Sequence, residues 1–150
     1  MTGYKKILCA VDFSDHSKVV AAHAGMLAKI MGGEVIIIYA APSLSQYVGF
    51  HVPPNSIESF VGEIVSGADK TMQSFVDEVL PDVPAKGHIV IGYAAEEILA
   101  MAEKENVDLI VMGTQGRKGL DRMLFGSVAE HVVKSAVHPV LTIRPDAVAE

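Results

Sequence analysis

Five short apolar runs punctuate the chain: Ile7 to Val11, Val35 to Ala41, His88 to Ile91, Leu109 to Met112, and Val140 to Ile143. They are continuous rather than alternating, and rich in isoleucine and valine. A strand covered by helices on both faces reads this way. Between the runs, apolar residues recur at helical spacing. Asp15 to Met31 places Val19, Val20, His23, Ala24, Leu27, Ala28 and Met31 on one side, with Ser14 or Asp15 as N-cap and Gly32-Gly33 as the stop. Ser56 to Leu80 carries a long stripe that includes Phe60, Ala68, Met72, Phe75 and Val79, and Pro81 ends it. Third and fourth helices are expected over Ala94 to Glu105 and Ser127 to Ala136.

The order strand–helix, four times over, with a closing strand predicts an α/β fold. The expected form is a three-layer, Rossmann-like sandwich with a five-stranded parallel sheet in the order 3-2-1-4-5, four helices and right-handed crossovers. No internal repeat or second-domain boundary interrupts residues 1–150, so they read as one domain. The aperiodic stretch is Pro42 to Asn55, a loop of about fourteen residues, which is the length at which loops tend to be functional.

Composition narrows the partners. Acidic residues outnumber basic ones by 18 to 12, giving a formal charge of −6, and no Lys/Arg run exceeds two residues. That balance argues against nucleic acid as the main partner. The single cysteine, Cys9, excludes an internal disulfide framework and multi-cysteine metal sites, and its apolar neighbours make it a core residue. No segment approaches the ~20 apolar residues of a membrane span, and the N-terminal run is too short for a signal peptide. The cytoplasm is the expected compartment.

In an open α/β sheet, ligands bind beyond the carboxyl ends of the strands, where the winding reverses. In the order 3-2-1-4-5 that point lies between strands 1 and 4. Unusual residues gather at both ends. Asp12-Phe13-Ser14-Asp15-His16-Ser17 follows strand 1; Gly113-Thr114-Gln115-Gly116-Arg117-Lys118-Gly119 follows strand 4; Gly126-Ser127 opens the expected last helix. Glycine lets a peptide approach an anion closely, and successive amides can form an anion-binding concavity. A helix starting at Gly126-Ser127 would add unpaired amides and about half a positive charge. Ser127 offers a hydroxyl, and Arg117 and Lys118 can screen the remaining charge. The set suits a nucleoside triphosphate. It is not a Walker loop, a dinucleotide fingerprint or a hydrolase elbow, since G-x-x-x-x-G-K-[ST], G-x-G-x-x-G after strand 1 and G-x-S-x-G are all missing.

The stretch Leu109 to Arg117 through Leu124 to Glu130 resembles the universal stress protein family. The family's ATP-binding members carry G-x2-G-x9-G-[ST], matched here by Gly113, Gly116 and Gly126-Ser127. Ile7 to Asp12 with Ser14 and Ser17, Gly92 with Ala95 to Ile98, and Val137 to Leu141 are similar too, so the likeness spans about residues 4–145. The resemblance implies an ATP-binding cytoplasmic protein that dimerises through its last strand, with Mg²⁺ accompanying the nucleotide. It places Asp12 near the ribose and phosphates, the backbone of Ala40 and Ala41 at the adenine, and Met112 beside the nucleoside. Gly113, Gly116, Gly126, Ser127 and Val128 would cradle the phosphates. Ala40 departs from the family's more usual valine, which implies looser adenine packing.

Three classes of function stay open on the sequence. One is a nucleotide-dependent regulatory module; the second is a slow ATPase or self-phosphorylating protein using Asp12 or Ser127; the third is a nucleotide-free dimeric scaffold. His16 and His51 are the histidines expected nearest a ligand.

Overall fold

The computed structural model describes residues 3–41, 54–114 and 120–145, the side chains of 54–61, 64 and 120–125 excepted. The elements are β1 (Lys6–Ala10), α1 (Asp15–Met31), β2 (Glu34–Ala41), α2 (Pro54–Val79), β3 (Ala85–Ile91), α3 (Ala94–Lys104), β4 (Leu109–Gly113), α4 (Leu120–Ser135) and β5 (Val140–Ile143). The strands form one sheet in the order β3-β2-β1-β4-β5, and each neighbouring pair is parallel.

Alternation along each strand divides the core into two layers. Ile7, Cys9 and Val11 face α1 and α2 together with Val35, Ile37 and Val111. Leu8 and Ala10 face α3 and α4 together with Ile36, Ile38, Ile110 and Met112. The three central strands are buried on both faces, which explains their unbroken apolar runs. Cys9 is fully buried in the first layer, and loss of solvent pushes its thiol pKa up to about 12. It is a packing residue, inert at neutral pH.

Ser14 caps α1 in an extended conformation, its side chain accepting from the amide of Ser17, and Gly32 closes the helix in the left-handed conformation with its N–H on Ala28 O. Pro54 occupies the first position of α2, where its missing N–H costs nothing. The helix therefore begins two residues before the expected Ser56. The rest of the predicted loop, residues 42–53, lies outside the described residues.

Two boundaries differ from expectation in ways that matter. The third strand begins at Ala85, three residues before His88. It is an edge strand with Lys86 and Gly87 exposed, so half of it answers to no burial requirement and leaves no apolar signal. A Cβ on Gly87 would collide with Cγ of Met72, so the glycine is there to let α2 close onto the sheet. The last helix begins at Leu120, seven residues before the expected Ser127. Residues 120–125 are mostly good helix formers. One glycine in a helix interior costs about 1 kcal/mol, too little to stop it.

Candidate functional site

The winding of the sheet reverses between β1 and β4, which pair with Cys9 opposite Val111. Chains leaving two such strands diverge to opposite faces and leave a crevice between them. On the β1 side, Val11 N still donates to Ile38 O at 3.0 Å, and the pairing of β1 then ends. The turn beyond it, from Asp12 to Ser17, is organised around one carboxylate.

Asp12 Oδ1 accepts from Ser14 N at 3.0 Å, Ser14 Oγ at 2.5 Å and Ser17 Oγ at 2.7 Å. Ser17 Oγ in turn accepts from Asp12 N at 2.8 Å, closing a small ring of hydrogen bonds. Ser17 is the one buried polar residue of this turn, 4 % exposed. Hydrogen bonds to an ionised acceptor are the strong ones, so the carboxylate is held in a fixed direction. The first turn of α1 adds partial positive charge beside it.

Between Asp12 and Ser14 the backbone turns through Phe13 at φ +64°, the left-handed region. For a bulky residue that conformation is a real outlier, costing on the order of 1–3 kcal/mol. Its ring packs 4.7 Å from Tyr39, tilted by 33°, and 5.8 Å from Phe75, edge-on at 66°.

On the β4 side, Gly113 is the last strand residue, buried and opposite Ile143, and Thr114 N donates to Ile143 O at 2.9 Å. Gly126 returns to this point. A Cβ built on it would meet Thr114 O at 3.4 Å, so the second turn of α4 runs against the end of β4. The glycine-bounded segment thus starts and finishes in one place.

Residues 3–144 match the universal stress protein family. The chain belongs to that family. This universal stress protein is 38 % identical over 143 residues to Universal stress protein MJ0531 of Methanocaldococcus jannaschii, covering 94 % of this chain and 82 % of that one. Its fold matches the solved structure of MJ0577, from the same organism, at a TM-score of 0.77 and 30 % identity, covering 94 % of this chain and 96 % of that one. A universal stress protein from Archaeoglobus fulgidus, solved in complex with dAMP, matches at a TM-score of 0.68 and 24 % identity, over 96 % and 100 % of the two chains. At that identity the likeness shows the fold.

The expected site residues of this universal stress protein fall at several places in the fold. Asp12 and Gly113 stand at the ends of adjacent strands, and Gly126 approaches Thr114. Ser127 is exposed and Val128 half-buried, both inside α4. They are not at its start, so the helix's terminal amides and partial positive charge belong to the turn beginning at Leu120 instead. Ala40 is half-buried at the end of β2, whereas Ala41 is fully buried and its carbonyl accepts from Gly92 N at 2.9 Å. Met112 is 0 % exposed and packs in the α3/α4 layer, beneath the crevice. Gly116, Arg117, Lys118, Gly119 and His51 lie outside the described residues.

The roles of two residues of the turn are not legible in the sequence, although Ser17 belongs to the family likeness. Ser17 is visible as a serine five positions after Asp12, but nothing in that spacing says that its hydroxyl returns to the carboxylate. Phe13 reads as one more apolar residue. Two other grooves lie toward the amino ends of the strands, away from this crevice. One, of 280 Å³, is bordered by Met26, Lys29 and Ile30 of α1 and by Val79 to Val83. The other, of 220 Å³, is bordered by Glu34, Val35 and 84–86. Neither presents convergent polar groups comparable to the Asp12 turn.

Among the described residues, no three His, Cys, Asp or Glu side chains gather as a metal-binding set, and no helix is long and apolar enough to cross a membrane.

Proposed function

We propose that this universal stress protein binds ATP in the crevice between the ends of β1 and β4 and serves as a nucleotide-dependent regulatory dimer of the cytoplasm. The observation that carries this reading is the meeting of Gly126 with the carbonyl of Thr114 at the sheet's reversal point, beside the turn that orients the Asp12 carboxylate. A glycine at this point keeps a side chain out of the mouth of the crevice, where a phosphate would lie.

In this reading Gly113, Gly116, Gly126, Ser127 and Val128 border the phosphates, the Ser127 hydroxyl serving as donor because the amides of 126–128 are engaged inside α4, with Arg117 screening charge. Asp12 lies at the ribose and phosphates. The backbone at Ala40 and Ala41 meets adenine, above Met112. Ala40 is the more exposed member of that pair, and the engaged carbonyl of Ala41 leaves it the smaller part. Among the described residues, the carboxylate that Mg²⁺ accompanying the nucleotide would meet is that of Asp12. That fits an ion which commonly keeps its waters and takes most other ligands from phosphate.

Isothermal titration with ATP is expected to give one site per chain with a micromolar Kd, roughly −8 kcal/mol. A flat trace at millimolar ATP overturns the assignment. ATP turnover that disappears in Asp12→Ala would favour a slow ATPase instead. Three donors on Asp12 Oδ1 favour a fixed acceptor over a proton-shuttling base.

The dimer is supported by β5, an edge strand whose Val140 and Leu141 are only half-buried, and by Val133 and Val137, 54 % and 90 % exposed nearby. Unpaired edge amides beside apolar surface invite a second strand. Sedimentation is expected to return twice the chain mass, and a monomer at tens of micromolar counts against the pairing.

A further inference from the structure

We infer that Phe13 is a positioning residue for the nucleotide site, holding the turn that aims the Asp12 carboxylate; this rests on the assignment of that carboxylate to the nucleotide. The starting point is its φ of +64°. Glycine, asparagine and aspartate visit this region readily, whereas phenylalanine has neither a missing Cβ nor a side-chain hydrogen bond to favour it. Such a conformation persists only where the surroundings over-determine it.

Two sets of contacts do so. From beneath, the Phe13 ring is seated against Tyr39 at the end of β2 and Phe75 of α2, at 4.7 and 5.8 Å. Phe75 belongs to the buried core of the α1/α2 layer, and both Tyr39 and Phe13 pack on that cluster. From above, Ser14 N and Ser14 Oγ both reach back to Asp12 Oδ1 across residue 13. The reversal at Phe13 is what brings the amide of residue 14 onto the carboxylate of residue 12. With the ring gone, the left-handed conformation loses its anchor, residue 13 relaxes to negative φ, and Ser14 swings away from Asp12. Ser17 then holds the carboxylate without help from Ser14.

A residue that merely fills the core would lower stability without acting through Asp12. The two roles separate in a double-mutant cycle on ATP affinity, measured by titration calorimetry on the full chain, with thermal melts alongside. Phe13→Ala is expected to weaken ATP binding about tenfold, a coupling of ordinary size for residues in one network. In an Asp12→Ala background the same change should weaken it no further. Phe13→Tyr keeps the ring and is expected to restore parental affinity. If Phe13→Ala does not fold, Phe13→Leu, which keeps apolar volume without the aromatic contacts, enters the same cycle with the same expectation. Losses that add across the cycle, or an unchanged affinity in the folded variant, overturn the positioning role while leaving the site assignment intact. Failure of the parent chain to bind ATP is a different result, and it overturns both.

Discussion

A Gly126→Val chain is expected to bind ATP about a hundredfold more weakly than its parent, a loss of roughly 2.8 kcal/mol, while melting at nearly the same temperature. The two halves of that expectation come from different observations. Gly126 sits inside α4, where valine has a helix propensity no worse than glycine's, so the helix itself does not object. The first atom added would stand 3.4 Å from Thr114 O, an ordinary van der Waals contact. On the proposed reading the same atoms would fill space that a phosphate needs beside Gly126. Calorimetric titration gives the affinity and a thermal melt gives the fold. Unchanged affinity in a folded Gly126→Val chain would remove this glycine from the site, and a large fall in melting temperature would contradict the room described beside Thr114.

Leu8→Ala should be the most damaging single change to stability considered for this chain, at about 2–5 kcal/mol. Leu8 lies at the middle of the central strand, 0 % exposed, with Ile36 and Ile110 opposite it in register on the two neighbouring strands. Both partners are also fully buried. Strands on either side and helices beyond them leave the surroundings little freedom to collapse into the space, so the cavity persists. For a chain of this length each kcal/mol lowers the melting temperature by about 2–4 °C, so the fall should be roughly 4–20 °C. Urea denaturation should show a lower midpoint at an unchanged slope. Saturating ATP is expected to recover part of the loss, about 2.7 kcal/mol at a hundred times Kd, because Leu8 lies below the crevice and the bound state should survive its removal. A cost under about 1 kcal/mol would contradict the packing described for β1.

Legibility in the sequence tracks burial on both faces of an element. The central strands and α1 announce themselves within a residue or so, because every position there must be apolar, a cap or a stop. The first three residues of β3 do not, since Lys86 is exposed, Gly87 has no side chain to show the face it turns to α2, and their place in the strand is decided by main-chain pairing with β2. The start of α4 is hidden for a related reason. Gly126 looks like a boundary when only local preference is weighed, but the residues before it propagate the helix through a modest penalty. The candidate site divides the same way. The glycine spacing and Asp12 stand out as chemistry; the hydrogen bonds from Ser14 and Ser17, and the conformation of Phe13, do not.

The order of strands and helices, the two-sided core and the presence of a glycine-bounded segment opposite an acidic turn are therefore written into periodicity and spacing, which report burial and local backbone preference over a few neighbouring residues. The direction of the Asp12 carboxylate and the contact of Gly126 with Thr114 are settled by folding. Groups distant in sequence enter both: Tyr39 and Phe75 seat the Phe13 ring beneath the turn, and α4 returns to the end of β4. Contacts of that kind arise only when a completed sheet fixes where separate segments lie, and no pattern within a single segment encodes them.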